Sequence, residues 1–358
     1  MKLSDLCTKG KSTLRQKDVL NNGPYPVYGA SGIIGTMSAF QNEVPCVCVV
    51  KDGAGVGRVM ACEACSSVLG TMQALIPKDG VDNDYLLHLV RSLKLGEGFS
   101  GSTIPHIYFK DYCKRTVPSL SLAQQAKISS AFGLIESLTG QKKLALDKLD
   151  QLIKSRFVEM FGSCGEDSLV PLEDICSIIT DGTHQPPKFR PQGVPFIFVS
   201  NIANNQLTYE TTKFISEEDY RTLIKRTPIE IGDVLISAVG SFGHPAIVRQ
   251  MRPFCFQRHI AYLKPVRDLV KSEYLHAALL SEKSQRYMNQ VAKGIAQRTV
   301  SLKSFKELLV PLPPLELQQE FADFVAQVEK SRFVDPGSDS LSLPCVFCGI
   351  NFVFARSE

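Results

Sequence analysis

The chain has 358 residues, 44% of them hydrophobic and 21% charged, a balance that excludes wholesale disorder and leaves room for two ordinary domains with connecting elements. Asp5, Lys9, Lys11 and Arg15 interrupt the first segment, and the longest apolar tract, 343–355, is too short for a bilayer and carries Asn351; the expectation is a cytoplasmic protein with no leader and no membrane span. The net charge is +4, with 13 basic against 10 acidic residues in 1–118, 18 against 13 in 171–314 and 9 against 13 elsewhere, so the positive excess falls on the two candidate globular stretches and hints at an anionic partner.

Short β-rich runs at 44–50, 195–200 and 233–239 alternate with Gly, Pro and Asn turns, and helical patches fall at 83–95 and 272–291, which predicts two α+β domains with mostly antiparallel sheet. Between them no proline occurs from Leu122 to Phe161. Phe132, Leu146, Ile153 and Met160 occupy one heptad position and Ile128, Ile135 and Leu149 the next seam position, with Thr139, Lys142 and Arg156 as breaks; the pattern predicts one helix. At 1.5 Å per residue it would be roughly 60 Å long. An apolar stripe on such a rod calls for a second helix, and Ile128, Phe132, Ile135, Leu149, Ile153 and Phe157 are the expected packing residues. The partner helix is expected over 315–333, where Phe321, Phe324, Val325 and Val328 recur, at about half the length of the first. At Val334-Asp335-Pro336-Gly337-Ser338 the pattern ends, and 334–358 is expected to be an atypical, disordered tail, read as a replacement for the rest of a truncated helix.

The chain repeats itself. Gly101, Lys110, Tyr112 and Val117-Pro118 return 193 positions later as Gly294, Lys303, Phe305 and Val310-Pro311, and Gln124-Gln125 returns as Gln318-Gln319 with one residue inserted. Leu3-Ser4-Asp5-Leu6-Cys7 is echoed by Leu172-Glu173-Asp174-Ile175-Cys176, and Gly23-Pro24-Tyr25-Pro26-Val27 by Gly193-Val194-Pro195-Phe196-Ile197. Each unit runs from a globular domain through a Val-Pro punctuation to a segment opened by a glutamine pair.

Catalytic hardware is sparse. Gly53, Gly55 and Gly57 follow an apolar run as a cofactor-binding turn would, but Lys51 stands where methyltransferases carry an acid, and 58–62 reads as the second strand of a hairpin rather than the required helix. The other half offers Gly240 and Gly243 at the corresponding place. Cys46, Cys48, Cys62 and Cys65 could hold zinc, but the single-residue spacing of the first pair is wrong for a knuckle, and the thiols read as strand core. The eleven cysteines are expected reduced. Neither Pro-Asp nor an acid-x-Lys triplet of a nuclease occurs, and the nearest string to an amino-methyltransferase loop is Gln185-Pro186-Pro187-Lys188. No catalytic residue, metal or cofactor is expected.

Four strings carry a family likeness: Gly23 to Gly32 (GPYPVYGASG), Gly294 to Val300 (GIAQRTV), Val310 to Leu315 (VPLPPL) and Leu149 to Gly162 (LDQLIKSRFVEMFG). In this order and two-fold arrangement, the chain resembles the specificity subunits of type I restriction-modification systems over 1–333. The resemblance implies a first target-recognition domain over 1–120, a central spacer helix over 121–162, a second such domain over 168–313 and a shortened C-terminal helix over 314–333, in a pseudo-two-fold, coiled-coil-like repeat. It also implies double-stranded DNA as ligand, each domain reading half of a split target, with the helices as ruler. The implied partners are two methyltransferase subunits and the restriction-translocase subunits that do the chemistry. Phosphate and base contacts draw on Lys, Arg, Asn, Gln, Ser, Thr and His. The candidates are Lys51, Arg58, Ser102, Thr103 and His106 in the first domain, and Thr183, His184, Lys188, Arg190, Asn201, Arg258, His259, Gln297 and Arg298 in the second. The competing readings are a stand-alone DNA methyltransferase and a coiled-coil scaffold that binds no DNA.

Overall fold

The computed structural model describes residues 1–101, 104–185, 187–295 and 297–333, with Glu166 and Phe333 by backbone alone. Ser102, Thr103 and the expected tail 334–358 lie outside the described residues. The chain divides into two compact units, Met1–Lys143 and Leu144–Glu358.

The first unit contains α1 (Leu3–Leu6), β1 (Cys7–Lys9), β2 (Tyr25–Gly29), β3 (Gly32–Met37), β4 (Cys46–Val50), β5 (Val59–Cys62), β6 (Ser67–Val68), β7 (Met72–Pro77), α2 (Asn83–Ser92), α3 (Phe109–Tyr112) and the start of α4 (Leu122–Phe161). Strands β1-β7-β4-β5 form an antiparallel sheet, and β3-β2-β6 a smaller one in which β2 and β6 are parallel. Strand β4, Cys-Val-Cys-Val-Val, is apolar throughout because both its faces are covered. Val47 and Val49 join a core with Leu86 and Val90 of α2, while Cys46, Cys48 and Val50 join a second core with Tyr28 and Met72. Helix α2 starts at Asp82, whose Oδ1 accepts the Tyr85 N–H at 2.7 Å, an N-cap that satisfies an otherwise unpaired donor.

The second unit contains the end of α4, then β8 (Leu169–Pro171), α5 (Leu172–Ile175), β9 (Cys176–Asp181), β10 (Val194–Ile197), β11 (Phe214–Ile215), α6 (Glu217–Leu223), β12 (Val234–Ser237), β13 (Pro245–Ile247), β14 (Cys255–Phe256), β15 (Ile260–Pro265), α7 (Ser272–Leu280), α8 (Glu282–Val291), α9 (Leu302–Lys306), β16 (Leu309–Pro311) and α10 (Leu315–Phe333). Its sheets have the first unit's topology. The order β9-β15-β12-β13 is antiparallel, matching β1-β7-β4-β5, and β11-β10-β14 pairs β10 with β14 in parallel, as β2 pairs with β6. The single helical patch expected over 272–291 is two helices, because Ser281 takes an extended backbone and its Oγ accepts the Ser284 N–H, starting α8 afresh.

Helix α4 is continuous over 40 residues. Its first turns lie on the first unit: Ile128 packs against that unit's core, Phe132 stacks on His88 at 4.4 Å, Ser129 Oγ donates to Asp82 Oδ1 at 2.6 Å and Arg91 pairs with Glu136 at 2.8 Å. Its last turns pack on the second unit, where Phe157 and Phe161 surround Tyr274 and Phe321 at centroid distances of 4.9–5.7 Å. Helix α10 runs antiparallel along this part, with Arg156 to Glu320 at 2.7 Å and Arg332 bonded to Asp150. Of the expected packing residues, Ile153 and Phe157 therefore meet the second unit's core, Leu149 is half-buried and Ile135 is 51% exposed.

The glutamine pairs align without an insertion. Gln125 is buried; its Oε1 accepts the Asp82 N–H, and its Nε2 donates to the carbonyls of Gly80 and Leu120. Gln318 is equally buried; its Oε1 accepts the Lys271 N–H, and its Nε2 donates to the carbonyls of Leu269 and Pro313. The constant offset of 193 thus continues through the pair, which corrects the one-residue insertion read from the letters alone. Gln124 and Gln319 are the exposed members. A buried amide with three partners anchors the start of each long helix where it leaves its domain.

Candidate nucleic-acid interface

Most of the described polar candidates gather at one end of each four-stranded sheet, where β4 and β12 run out and β7 and β15 begin. In the first unit Val50 leads into Lys51, and Asp52 and His106 meet through a bridge between their backbones. The turn closes when Gly53 N–H donates to the Pro105 carbonyl at 3.0 Å. In the second unit Ser237 leads into the corresponding turn, Val239 bridges Thr299, and Gly240 N–H donates to the Arg298 carbonyl at 2.9 Å. Gly53 and Gly240 both hold positive φ, 90° and 74°, a conformation open to glycine at little cost. A second turn is also duplicated: Ser100 bridges His106 and Lys293 bridges Thr299, with Gly101 and Gly294 at φ 97° and 115°. The glycines picked out as a cofactor turn are hairpin glycines, since β4 and β5 are antiparallel neighbours with no intervening helix.

On this shared backbone the side chains differ. In the first unit His106 Nδ1 lies 2.7 Å from Asp52 Oδ1, both partly exposed, and the His106 ring faces Tyr108, over which Lys110 Nζ sits at 5.4 Å. A carboxylate at Nδ1 leaves Nε2 turned away from its partner and available to a ligand. Lys51 is half-exposed; Arg58 is exposed and donates to the Ala30 carbonyl at 2.9 Å.

In the second unit Thr183 bridges Gln257, and the Arg258 N–H donates to the Thr183 carbonyl at 3.1 Å, which brings Thr183, His184, Arg258 and His259 together. His184 Nε2 lies 2.9 Å from Asp181, which also holds Arg226 at 2.6 Å. Burial, reinforced by the Arg258 guanidinium, holds His259 below its usual value, so that it stays neutral and can both donate and accept. Arg298 lies 5.2 Å over the Phe242 ring and bonds to Asn289, and Gln297 beside it is exposed. Lys188 and Arg190 are exposed on the approach to the smaller sheet, where Arg190 bridges Phe214.

One candidate is corrected. Asn201 is 6% exposed; its Oδ1 accepts the Phe198 N–H at 3.0 Å, and its Nδ2 donates to the Glu210 carbonyl at 2.8 Å and to Thr208 Oγ1 at 3.3 Å. An amide so buried, with both its donors engaged, fastens its own loop and is withheld from a base edge. Asp52 and Asp181, the carboxylates that orient His106, His184 and Arg226, are not among the residues expected from the sequence. Their only sequence signal is position, Asp52 directly after Lys51 at the end of an apolar run and Asp181 three residues before His184.

The model of the type I restriction modification DNA specificity domain matches this chain twice, over residues 1–149 and 168–333. The specificity subunit of the type I restriction enzyme EcoBI from Escherichia coli is 30% identical over 147 residues, 41% of this chain and 31% of that protein, so this match spans about a third of the relative's length. The MjaVIII specificity subunit of Methanocaldococcus jannaschii is 22% identical over 313 residues, 79% of this chain and 72% of that one. Among solved structures, the type I restriction-modification S subunit from M. genitalium has the same fold, with a TM-score of 0.55 at 16% identity over 93% of this chain and 89% of that one. The two-fold domain match, covering most of the residues and both sets of duplicated turns, places this chain in the family of type I restriction-modification specificity subunits.

Proposed function

We propose that this chain reads a bipartite target in double-stranded DNA and directs methylation and restriction carried out by two methyltransferase subunits and the restriction-translocase subunits of a type I assembly. The observation that carries the reading is the duplicated rim: one backbone scaffold, built twice, that presents a different polar set each time. Readers of two unlike half-sites need this combination, since the backbone sets where side chains enter a groove and the side chains set which base edges they match. In this reading domains 1–120 and 168–313 are the two readers, helix 121–162 is the spacer between them, and 314–333 pairs with that spacer. Lys51, Arg58, His106, Thr183, His184, Lys188, Arg190, Arg258, His259, Gln297 and Arg298 are the contact set, with Ser102 and Thr103, which follow Gly101 in the sequence.

The test is DNA binding by the chain assembled with its methyltransferase subunit, measured against salt. Expected is an affinity that falls linearly with salt on logarithmic axes and a preference for one split sequence over unrelated DNA. A coiled-coil scaffold gives no DNA binding in the same experiment, and a stand-alone methyltransferase gives S-adenosylmethionine binding by the isolated chain; either result overturns the reading.

A further inference from the structure

The first unit buries three thiols against one another. Cys46 and Cys48 lie two apart on β4, on one face of the strand, and Cys62 stands opposite Cys46 on β5. Cys46 Sγ is 3.8 Å from Cys48 Sγ, and Cys62 Sγ is 2.8 Å from Cys48 Sγ. All three sulfurs fall within 4.8 Å of one another, and the residues are 0%, 0% and 2% exposed. The objection drawn from spacing, that strand neighbours do not converge, is met by the sheet: the third sulfur arrives from the adjacent strand. Cys65, the fourth member of the sequence quartet, bonds instead to the Glu43 carbonyl. Around the cluster lie Val50, Val68, Met72 and Ala74, with Met60 directly across the ladder from Cys48. Charged oxygen ligands are absent from this set.

The repeat supplies an internal control. Ladder positions equivalent to Cys48 and Cys62 in the second unit are Leu235 and Val248, both fully buried, and the position of Cys46 is taken by Asp233, whose Oδ2 accepts from the Tyr262 hydroxyl at 2.7 Å. Two of these places are filled by aliphatic side chains and the third by a hydrogen-bonded carboxylate, so the fold requires a thiol at none of them. Among the described residues, three converging thiols occur in the first unit alone.

We propose that Cys46, Cys48 and Cys62 form a sulfur-only site for a soft, thiophilic monovalent cation of the copper(I) class, with the Met60 thioether at its edge. Sulfur donors in an apolar pocket select soft ions over hard ones. The charge balance points the same way. A monovalent ion held by two thiolates and one retained thiol leaves a single negative charge in the pocket, and the two displaced protons go to solvent, so affinity rises with pH. A cation clamped here ties β4 to β5 immediately before β4 delivers Lys51 to the rim.

The test is an anaerobic titration of the full chain with copper(I) against a chromophoric chelator, with reductant present. It is done in a background in which Cys345→Ser and Cys348→Ser remove the other cysteine pair. Expected is one equivalent withdrawn from the chelator, an X-ray absorption spectrum showing sulfur alone around the metal, and loss of that equivalent in Cys48→Ala with its circular dichroism unchanged. If Cys48→Ala does not fold, Cys46→Ala serves, with at least tenfold weaker retention expected. The proposal is overturned if the parent chain leaves the copper with the chelator, if folded variants retain it equally well, or if mass measurement finds Cys48 and Cys62 joined as a disulfide that survives the reductant.

Discussion

The two units share a backbone and differ in what they hang on it. Gly53 and Gly240, and Gln125 and Gln318, are interchangeable in role down to the carbonyls that each bonds, and Gly101 and Gly294 share a positive φ. At the rim the likeness ends: Lys51 and the Asp52–His106 pair of the first unit stand where the second has Ala238, Val239 and Thr299, and the second concentrates its cations at Arg226, Arg258 and Arg298. A protein that reads two different half-targets must hold geometry constant while varying chemistry, and the division between invariant backbone anchors and variable side chains is what that requires.

The largest expected contrast is along α4. Phe321→Ala opens the aromatic cluster around Phe157, Phe161 and Tyr274 and should cost roughly 3–5 kcal/mol by denaturant unfolding, whereas Ile135→Ala, at an exposed position, should stay within about 0.5 kcal/mol. Next come the helix anchors. Gln125→Ala and Gln318→Ala each remove a buried amide from three backbone groups, most of them partly buried, and should each cost about 1–3 kcal/mol, matching within error if the anchors are equivalent. Unequal costs would show that one unit's helix is held by other means.

The glycines separate the units more finely. A Cβ on Gly57 would lie 2.1 Å from the backbone nitrogen of Gly96, while one on Gly243 first meets the movable end of Gln285 at 2.9 Å, and both glycines have φ of 82°. Gly57→Ala should cost about 2 kcal/mol or more and Gly243→Ala about 1 kcal/mol, since only the second site can relax by moving a side chain. At the rim, Arg298→Ala should weaken DNA binding of the assembled complex by about 1–3 kcal/mol with relaxed preference at one half-site if it reads a base, or uniformly with a shallower salt slope if it holds a phosphate. Loss of preference at both half-sites would contradict the division of labour.

The smallest effect is in pH. His276 is half-buried, and its Nε2 lies 3.1 Å from the carbonyls of Asn205 and Pro245, so it is the N–H donor. Burial holds it below its ordinary 6.5. Folding favours the neutral ring, so the second unit keeps its full stability above pH 6.5 and loses some as pH falls below it, when the unfolded chain takes the proton first. Thermal unfolding at pH 8 and pH 5.5 should show a drop that His276→Gln reduces.

Much of this was legible in the letters. The bounds of α4 and α10 follow from the proline-free, seam-patterned runs and the breakers that end them, and the hairpin reading of 49–62 follows from an apolar run on each side of a glycine turn. What escaped depended on three-dimensional pairing. Asn201 looks like a loop amide free for DNA until its three internal bonds are seen, and Cys46 and Cys48 look misplaced for a ligand pair until Cys62 arrives from the next strand. The alignment of Gln125 with Gln318 is ambiguous between two glutamines in a row and is decided only by which one is buried.

The most direct test of the central claim is selection from random duplex DNA by the chain assembled with its methyltransferase subunit, sequenced after repeated enrichment. The account predicts two short, unlike conserved tracts separated by a spacer of fixed length and random sequence, with Arg298→Ala or His184→Ala changing one tract and Lys51→Ala or His106→Ala the other. A single uninterrupted motif, or no enrichment by a folded and assembled complex, would contradict it.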